Sequence, residues 1–240
     1  MLTNLLTYIP LWTLLNRVIY NGFYYFCEPL FSRENIKLEK ITSNIVSSYH
    51  GVKCVQIVIN EYRKNDILFT YYPENINYYN SVIAYSISYF IYDLFNDYRN
   101  KTLTYSFFIH HSLSIISGLY LSYVQLSQLY VVALFVELSN LNLNIKDIMD
   151  TLDMKNLDFY TINGILFSIS FFISRIVYAP ITLKSAYILT NEVNMIEYHI
   201  HYNIPLTLTG SFIMLNLYWF QKIVSIIIYK YNKYRNYNIQ

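Results

Sequence analysis

Three of the five histidines in this 240-residue chain, His50, His110 and His111, fall in stretches that are otherwise apolar. Two carboxylates, Asp93 and Glu137, do the same. An imidazole beside a carboxylate can work as a general base or a nucleophile. The carboxylate holds one ring nitrogen while the other takes a proton or attacks. His110, His111, Glu137 and Asp93 are therefore the candidate catalytic residues. His50, Asn140, Asn144, Asn163 and Arg175 are the polar groups placed to contact a substrate. His50, His111 and Glu137 are an alternative metal set, but no ligand spacing requires one, so no metal or other cofactor is expected.

These residues need elements that bring them together, and the composition says what those are. The chain is 55% hydrophobic and 13% charged, against about 25% charged in an ordinary soluble domain. Its mean hydropathy of +0.27 is held down by Asn and by 28 tyrosines, and tyrosine is at home at membrane interfaces. Apolar runs long enough to cross a bilayer occupy residues 5–26, 41–59, 76–96, 103–123, 126–145, 157–181 and 204–228. Lipid admits only helices or closed barrels, and these runs lack the alternating polarity of barrel strands. The expected fold is all-α, a polytopic transmembrane bundle of six to seven spans. Residues 1–40 form the first span and a basic connection, 41–230 the main transmembrane domain, and 231–240 a short polar tail. No room is left for a separate soluble domain, which excludes a secreted or cytosolic enzyme. Residues 184–203 are too polar to span and are expected at the surface, where Glu197, His199 and His201 read as an interfacial loop. No internal repeat is visible, against an inverted-repeat transporter.

Basic residues give the orientation. With seven spans, one side carries ten Lys and Arg in its connections and tail, and the other carries three, Arg63, Lys64 and Lys184. The positive-inside rule puts the C-terminus in the cytoplasm and the N-terminus on the far side. The N-terminal segment has no cleavage signal and reads as a helix that stays attached. The sequon Asn100-Lys101-Thr102 then lies in a tight cytoplasmic connection and is expected to go unused. The net charge of +2, without a dense basic run, excludes a nucleic-acid partner. Cys27 and Cys54, both in apolar stretches, form no zinc or disulfide pattern. The preference for Asn, Ile, Tyr and Lys over Gly, Pro and Ala fits an AT-rich genome, such as that of some protists or giant DNA viruses.

Orientation turns sequence position into depth. At about 1.5 Å per residue, His110 and His111 lie about 11 Å from the cytoplasmic ends of their span, Glu137 about 12 Å, His50 about 13 Å and Asp93 about 5 Å. Four spans thus bring ionisable groups to one layer, with Asn140, Asn144 and Asn163 nearby. Such groups are costly in a bilayer and are functional candidates by default. Their other reading is cross-helix hydrogen bonding that holds the bundle together. Arg175 lies nearer the far side, where snorkelling or a structural pair accounts for it. Trp219 and its aromatic neighbours read as packing.

Taken in order, several pieces of the chain resemble the TLC domain family of multi-pass membrane proteins. They are Ser47-Ser48-Tyr49-His50, Ser88-Tyr89-Phe90-Ile91-Tyr92-Asp93-Leu94, His110-His111, and Glu137-Leu138-Ser139 with Leu143-Asn144. Asn163-Gly164, Phe171-Phe172 with Arg175, and Leu215-Asn216 with Tyr218-Trp219-Phe220 complete the series over residues 20–230. In the ceramide synthases of that family, a His-Asp, a Ser-Asp and a Leu-Glu follow the His pair on the next helix. Here Val136-Glu137 stands at the first, Asn140 replaces the second Asp, and Asn144 stands where Glu is expected. The pattern resembles the branch tied to membrane lipid composition. The resemblance implies lipid handling or lipid homeostasis, with membrane lipids as partners and residence in the endoplasmic reticulum, or in a host membrane if the source is viral. The alternatives are ceramide-synthase-like N-acyl transfer from acyl-CoA, and a non-catalytic chaperone or translocation partner. An apolar tunnel reaching the His pair would favour the lipid readings.

Overall fold

A computed structural model describes residues 2–31, 35–195 and 203–237. Every regular element among the described residues is helical. Helix α1 (Leu2–Phe31) precedes α2 (Asn35–Lys64), and a 3-10 turn at Pro73–Asn75 leads into α3 (Ile76–Asn100) and α4 (Tyr105–Tyr123). Helix α5 (Ser127–Ala133) passes through a 3-10 segment, Leu134–Ser139, into α6 (Asn140–Thr151). Likewise α7 (Asp158–Phe171) passes through a π segment, Phe172–Val177, into α8 (Ala179–Met195), and α9 (Asn203–Tyr237) closes the chain. Counting each interrupted helix once, the described residues form seven rods, at the positions of the seven apolar runs. Two of them, the α7–α8 rod and α9, are long and apolar enough to cross a membrane by length and composition alone.

Glycine is scarce, and the helix ends show how the chain manages without it. Lys101, Gln125 and Asp153 follow α3, α4 and α6 with φ of 58°, 61° and 55°. In each case the next amide reaches back five residues: Thr102 to Asp97 at 3.0 Å, Leu126 to Leu121 at 2.8 Å, and Met154 to Met149 at 2.9 Å. This is a Schellman closure, whose left-handed position ordinarily takes glycine. At its start α4 is capped conventionally, with Thr104 Oγ1 accepting from the Phe107 amide.

Helix α3 lies at the centre, against α1, α2, α4 and α5. Its Tyr79, Ile83 and Ile87 are fully buried, and Leu129 and Val131 of α5 join them. Gly118 lets α4 approach this pair of helices. A Cβ there would sit 2.8 Å from Ile87 Cδ1 and 3.0 Å from Tyr130 Cε2. Gly51 plays the same part where α2 crosses the 3-10 segment, with the Glu137 carbonyl 3.3 Å from its absent Cβ. Helix α1 drives Trp12 into the core, where its indole nitrogen donates to Ser88 Oγ at 3.0 Å.

The connection between α2 and α3 is fastened by one buried side chain. Gln128 donates to the carbonyls of Ile67 and Thr70 at 2.8 and 2.7 Å and accepts from the Tyr72 amide at 3.0 Å. Glu192 of α8 accepts from the neighbouring Tyr71 amide at 2.7 Å. The polarity of residues 184–203 thus has a different cause from the expected surface position. As far as Met195 the segment is helix, and Ser185, Ala186, Leu189, Thr190 and Val193 form a buried stripe. Its polar members serve the bundle. Glu197, His199 and His201 lie outside the described residues.

Candidate functional site

Among the described residues, two cavities open within the bundle. The larger, of about 520 Å³, runs from the α3–α4 connection at Asn100 and Thr102 to the His pair. Its charged lining comes from Lys40 of α2, Asp93 and Asp97 of α3, Asp147 of α6, Arg175 of the π segment and Lys222 of α9. The narrower, of about 80 Å³, is lined chiefly by apolar side chains of α4, α5, α8 and α9, including Leu121, Leu129, Leu208 and Phe212. Phe90, His110 and Arg175 line both. A chamber rich in charge and an apolar slot therefore meet at the histidine pair.

The two histidines are held differently. His111 directs Nδ1 at the Phe107 carbonyl, 2.9 Å away, and Nε2 at Asp93 Oδ2, 3.1 Å away. The carbonyl can only accept, so Nδ1 donates to it, and the proton joining Nε2 to Oδ2 is shared by the pair. His110 is held instead by aromatic edges. Phe90, Phe212 and Trp219 stand 5.9, 5.9 and 5.4 Å from its ring centre, and its buried Nδ1 has no hydrogen-bond partner. Both imidazoles border the larger cavity, as successive helical residues can where three helices join.

Glu137 and Arg175 stand on the two irregular segments, which pack against each other. The 3-10 segment tightens the α5–α6 rod and the π segment widens the α7–α8 rod, a distortion often found at functional sites. Arg175 is 4% exposed and donates to Ser139 Oγ at 3.0 Å, Asn216 Oδ1 at 3.1 Å and Asn140 Oδ1 at 2.8 Å. Its guanidinium also lies over the rings of Phe171 and Trp219. Asn140 uses its other end to donate to Glu137 Oε2 at 2.6 Å, so one amide couples the buried cation to the buried anion. Of the two expectations for Arg175, snorkelling or a structural partnership, the arrangement is of the second kind: the guanidinium finds three acceptors inside the bundle.

The remaining candidates divide. Asn144 borders the larger cavity with its Nδ2 unpartnered. Asn163 borders neither cavity; it donates to the Asn142 carbonyl at 2.9 Å and pins α7 to α6. His50 is fully buried behind the slot, with Ser86 Oγ at 3.2 Å and Cys54 Sγ at 3.3 Å from Nε2. Among the described residues, no three His, Cys, Asp or Glu side chains converge as a metal site. Sequence reasoning took Trp219 for packing and gave Ser139, Asn216 and Asp97 no role in the site. Asp97 had a signal, since it lies one helical turn beyond Asp93. Asp97 also lies beyond the apolar run that ends at Asn96. Burial, and then the neighbouring Asp93 carboxylate, push its carboxyl up to about 6, against the Thr102 hydroxyl that donates to it at 2.8 Å.

A family model described as the TLC domain matches residues 39–225, which include every site residue above and leave out α1. No curated protein matches the chain.

Proposed function

The chain belongs to the TLC domain family, a membrane-integral family with lipid-related functions, and from that premise we propose that it binds an amphiphilic lipid inside its bundle and acts in lipid handling. The polar head occupies the larger cavity and the chain enters the slot, with His110 and Arg175 at the boundary. The observation that carries this reading is that these two residues border both a charged chamber and an apolar slot. A head group can exchange hydrogen bonds with water for bonds to Asn144, Lys222 or Asp97, while the chain leaves water altogether. We take the seven apolar runs within these rods as spans, the third ending at Asn96, with the C-terminus cytoplasmic, residues 41–230 as the lipid-handling domain and the endoplasmic reticulum as the membrane.

Photolabelling tests this. Purified protein in nanodiscs is given lipids that carry a diazirine along the acyl chain, and the adducts are mapped by mass spectrometry. Adducts on Leu134, Phe212 or Ile213, lost when Ser117→Trp fills the slot, are the expected result. Adducts confined to outward residues such as Ile165 and Ile226 would overturn it.

A second reading, N-acyl transfer from acyl-CoA, is favoured by the placing of His110 at the junction of the two cavities, beside the His111–Asp93 pair. Both nitrogens of His111 are engaged, whereas Nδ1 of His110 has no partner. His110 would take the proton from an attacking amine as the C–N bond forms, and the thiolate would leave as the free thiol after protonation. Purified protein given acyl-CoA and a long-chain amine should form amide, and His110→Ala should abolish it. Amide formation unaffected by that substitution excludes this mechanism.

A further inference from the structure

His50 is fully buried and borders neither cavity, yet its position is closely determined. Its ring stacks on Tyr89 at 3.9 Å with 14° between the planes, and Trp12 packs an edge against it. Nε2 faces two groups that each carry a proton, the Ser86 hydroxyl at 3.2 Å and the Cys54 thiol at 3.3 Å. Nδ1 has no hydrogen-bond partner and stands 3.9 Å from Glu137 Oε2. A bare Nδ1 would face the carboxylate oxygen lone pair to lone pair, and a thiol is a poor acceptor, so the unprotonated nitrogen is Nε2, its one lone pair shared by the hydroxyl and thiol protons. The proton of the neutral imidazole is then on Nδ1, aimed at the carboxylate.

We propose that His50 is a positioning residue: its Nδ1–H, set by Ser86 and Cys54, orients the Glu137 carboxylate from behind, and through Asn140 the guanidinium of Arg175. The chain of polar contacts runs His50, Glu137, Asn140, Arg175, and only its last three members border a cavity. The gap at Nδ1 is about 1 Å longer than a hydrogen bond, a distance that such contacts close when a site is filled. Gly51, one residue after His50, allows this approach, because α2 touches the Glu137 backbone where its Cβ would be. His50 thus acts on the cavity without touching its contents.

The functional consequence rests on the lipid-binding reading above, but the proton position does not. Protein labelled with 15N-histidine is compared as wild type, Glu137→Gln and His50→Phe, the last identifying the His50 signals. The expected spectrum has Nδ1 of His50 protonated and Nε2 bare, with the Nδ1 signal shifted by Glu137→Gln. A proton on Nε2, or an Nδ1 signal indifferent to Glu137→Gln, overturns the proposal. His50→Phe keeps a ring on Tyr89 and should lower photolabelling of the slot about tenfold, the effect of losing one hydrogen bond to a charged group. His50→Asn, whose amide nitrogen falls near the place of Nδ1, should restore labelling, and failure to restore it counts against positioning. If wild type is never photolabelled, the lipid-binding reading falls while the spectra still decide this one. If His50→Phe does not fold, His50→Asn identifies the signals instead.

Discussion

Asp93 on α3 and His111 on α4 meet at 3.1 Å, and the other nitrogen of the same imidazole is tied to its own helix at the Phe107 carbonyl. The contact therefore fixes a ring plane as well as joining two helices. With both nitrogens of His111 engaged, the neighbouring His110, which borders both cavities, is the imidazole left to meet a ligand.

Removing one member of this pair strands the other. Asp93→Leu should destabilise the protein by about 2–4 kcal/mol, because a buried polar group loses its partner. Asp93→Leu combined with His111→Phe should cost less than the sum of the two single changes. Thermal unfolding in detergent measures all three, and strict additivity would mean that the contact contributes nothing.

The glycines separate by what surrounds them. Gly118→Ala forces a methyl group within 2.8 Å of Ile87 Cδ1 and should cost about 1–3 kcal/mol as overpacking. Gly164 has nothing within 4 Å of an added Cβ, and Gly164→Ala should be neutral or stabilising by up to about 1 kcal/mol. Equal unfolding midpoints for the two variants would contradict the packing described for α4.

The left-handed helix ends offer the opposite experiment. Lys101→Gly and Gln125→Gly relieve the crowding of a Cβ at positive φ and should each raise stability by about 1 kcal/mol. A lower melting midpoint for both variants would show that the lost side chains mattered more than the backbone.

Asp97 gives a pH dependence of definite sign. Its folded carboxyl titrates at about 6, above the ordinary value of 3.8, so the native state binds this proton more tightly than the unfolded chain does. The carboxylate is therefore unfavourable to folding above pH 6, and the penalty fades as pH falls from 6 toward 4. Asp97→Asn should be more stable than wild type by about 1–2 kcal/mol at pH 7.5, after allowance for solvent screening, and equal to it near pH 4. A difference that does not vary between those values would place the cause elsewhere.

Depth along a helix was legible from sequence, because the 3-10 and π segments are too short to change the summed rise by much. That is how His110, His111, Glu137 and Asp93 could be assigned to one layer. Rotation about the helix axis was not legible once the helices departed from 3.6 residues per turn. The 3-10 segment before Asn140 and the π segment around Arg175 each reset the direction of the side chains beyond them. Arg175 consequently faces Asn140 and Asn216 rather than a membrane surface. In the regular helices α2 and α7 the cause was different: a lone polar group in an apolar run does not show which side it faces, so His50 and Asn163 were grouped with the cavity residues, though both bond behind its walls. In α8 the polar residues raised the polarity of the segment without showing that they lay on the buried stripe or, like Glu192, reached a loop amide.

Helix α9 is a wall shared by both cavities, yet its buried side chains reduce to a narrow stripe at Pro205, Thr209 and Asn216 among those described. It packs on α8, α4 and the π segment, and its Asn216 and Phe212 meet Arg175 and His110, the two residues that border both cavities. A ligand that fills the cavities and touches these residues would therefore couple to the seating of the helix. Whatever binds more tightly with α9 in place stabilises that placement by the same free energy. A label on the outer face of α9 would then report cavity occupancy without touching the occupant.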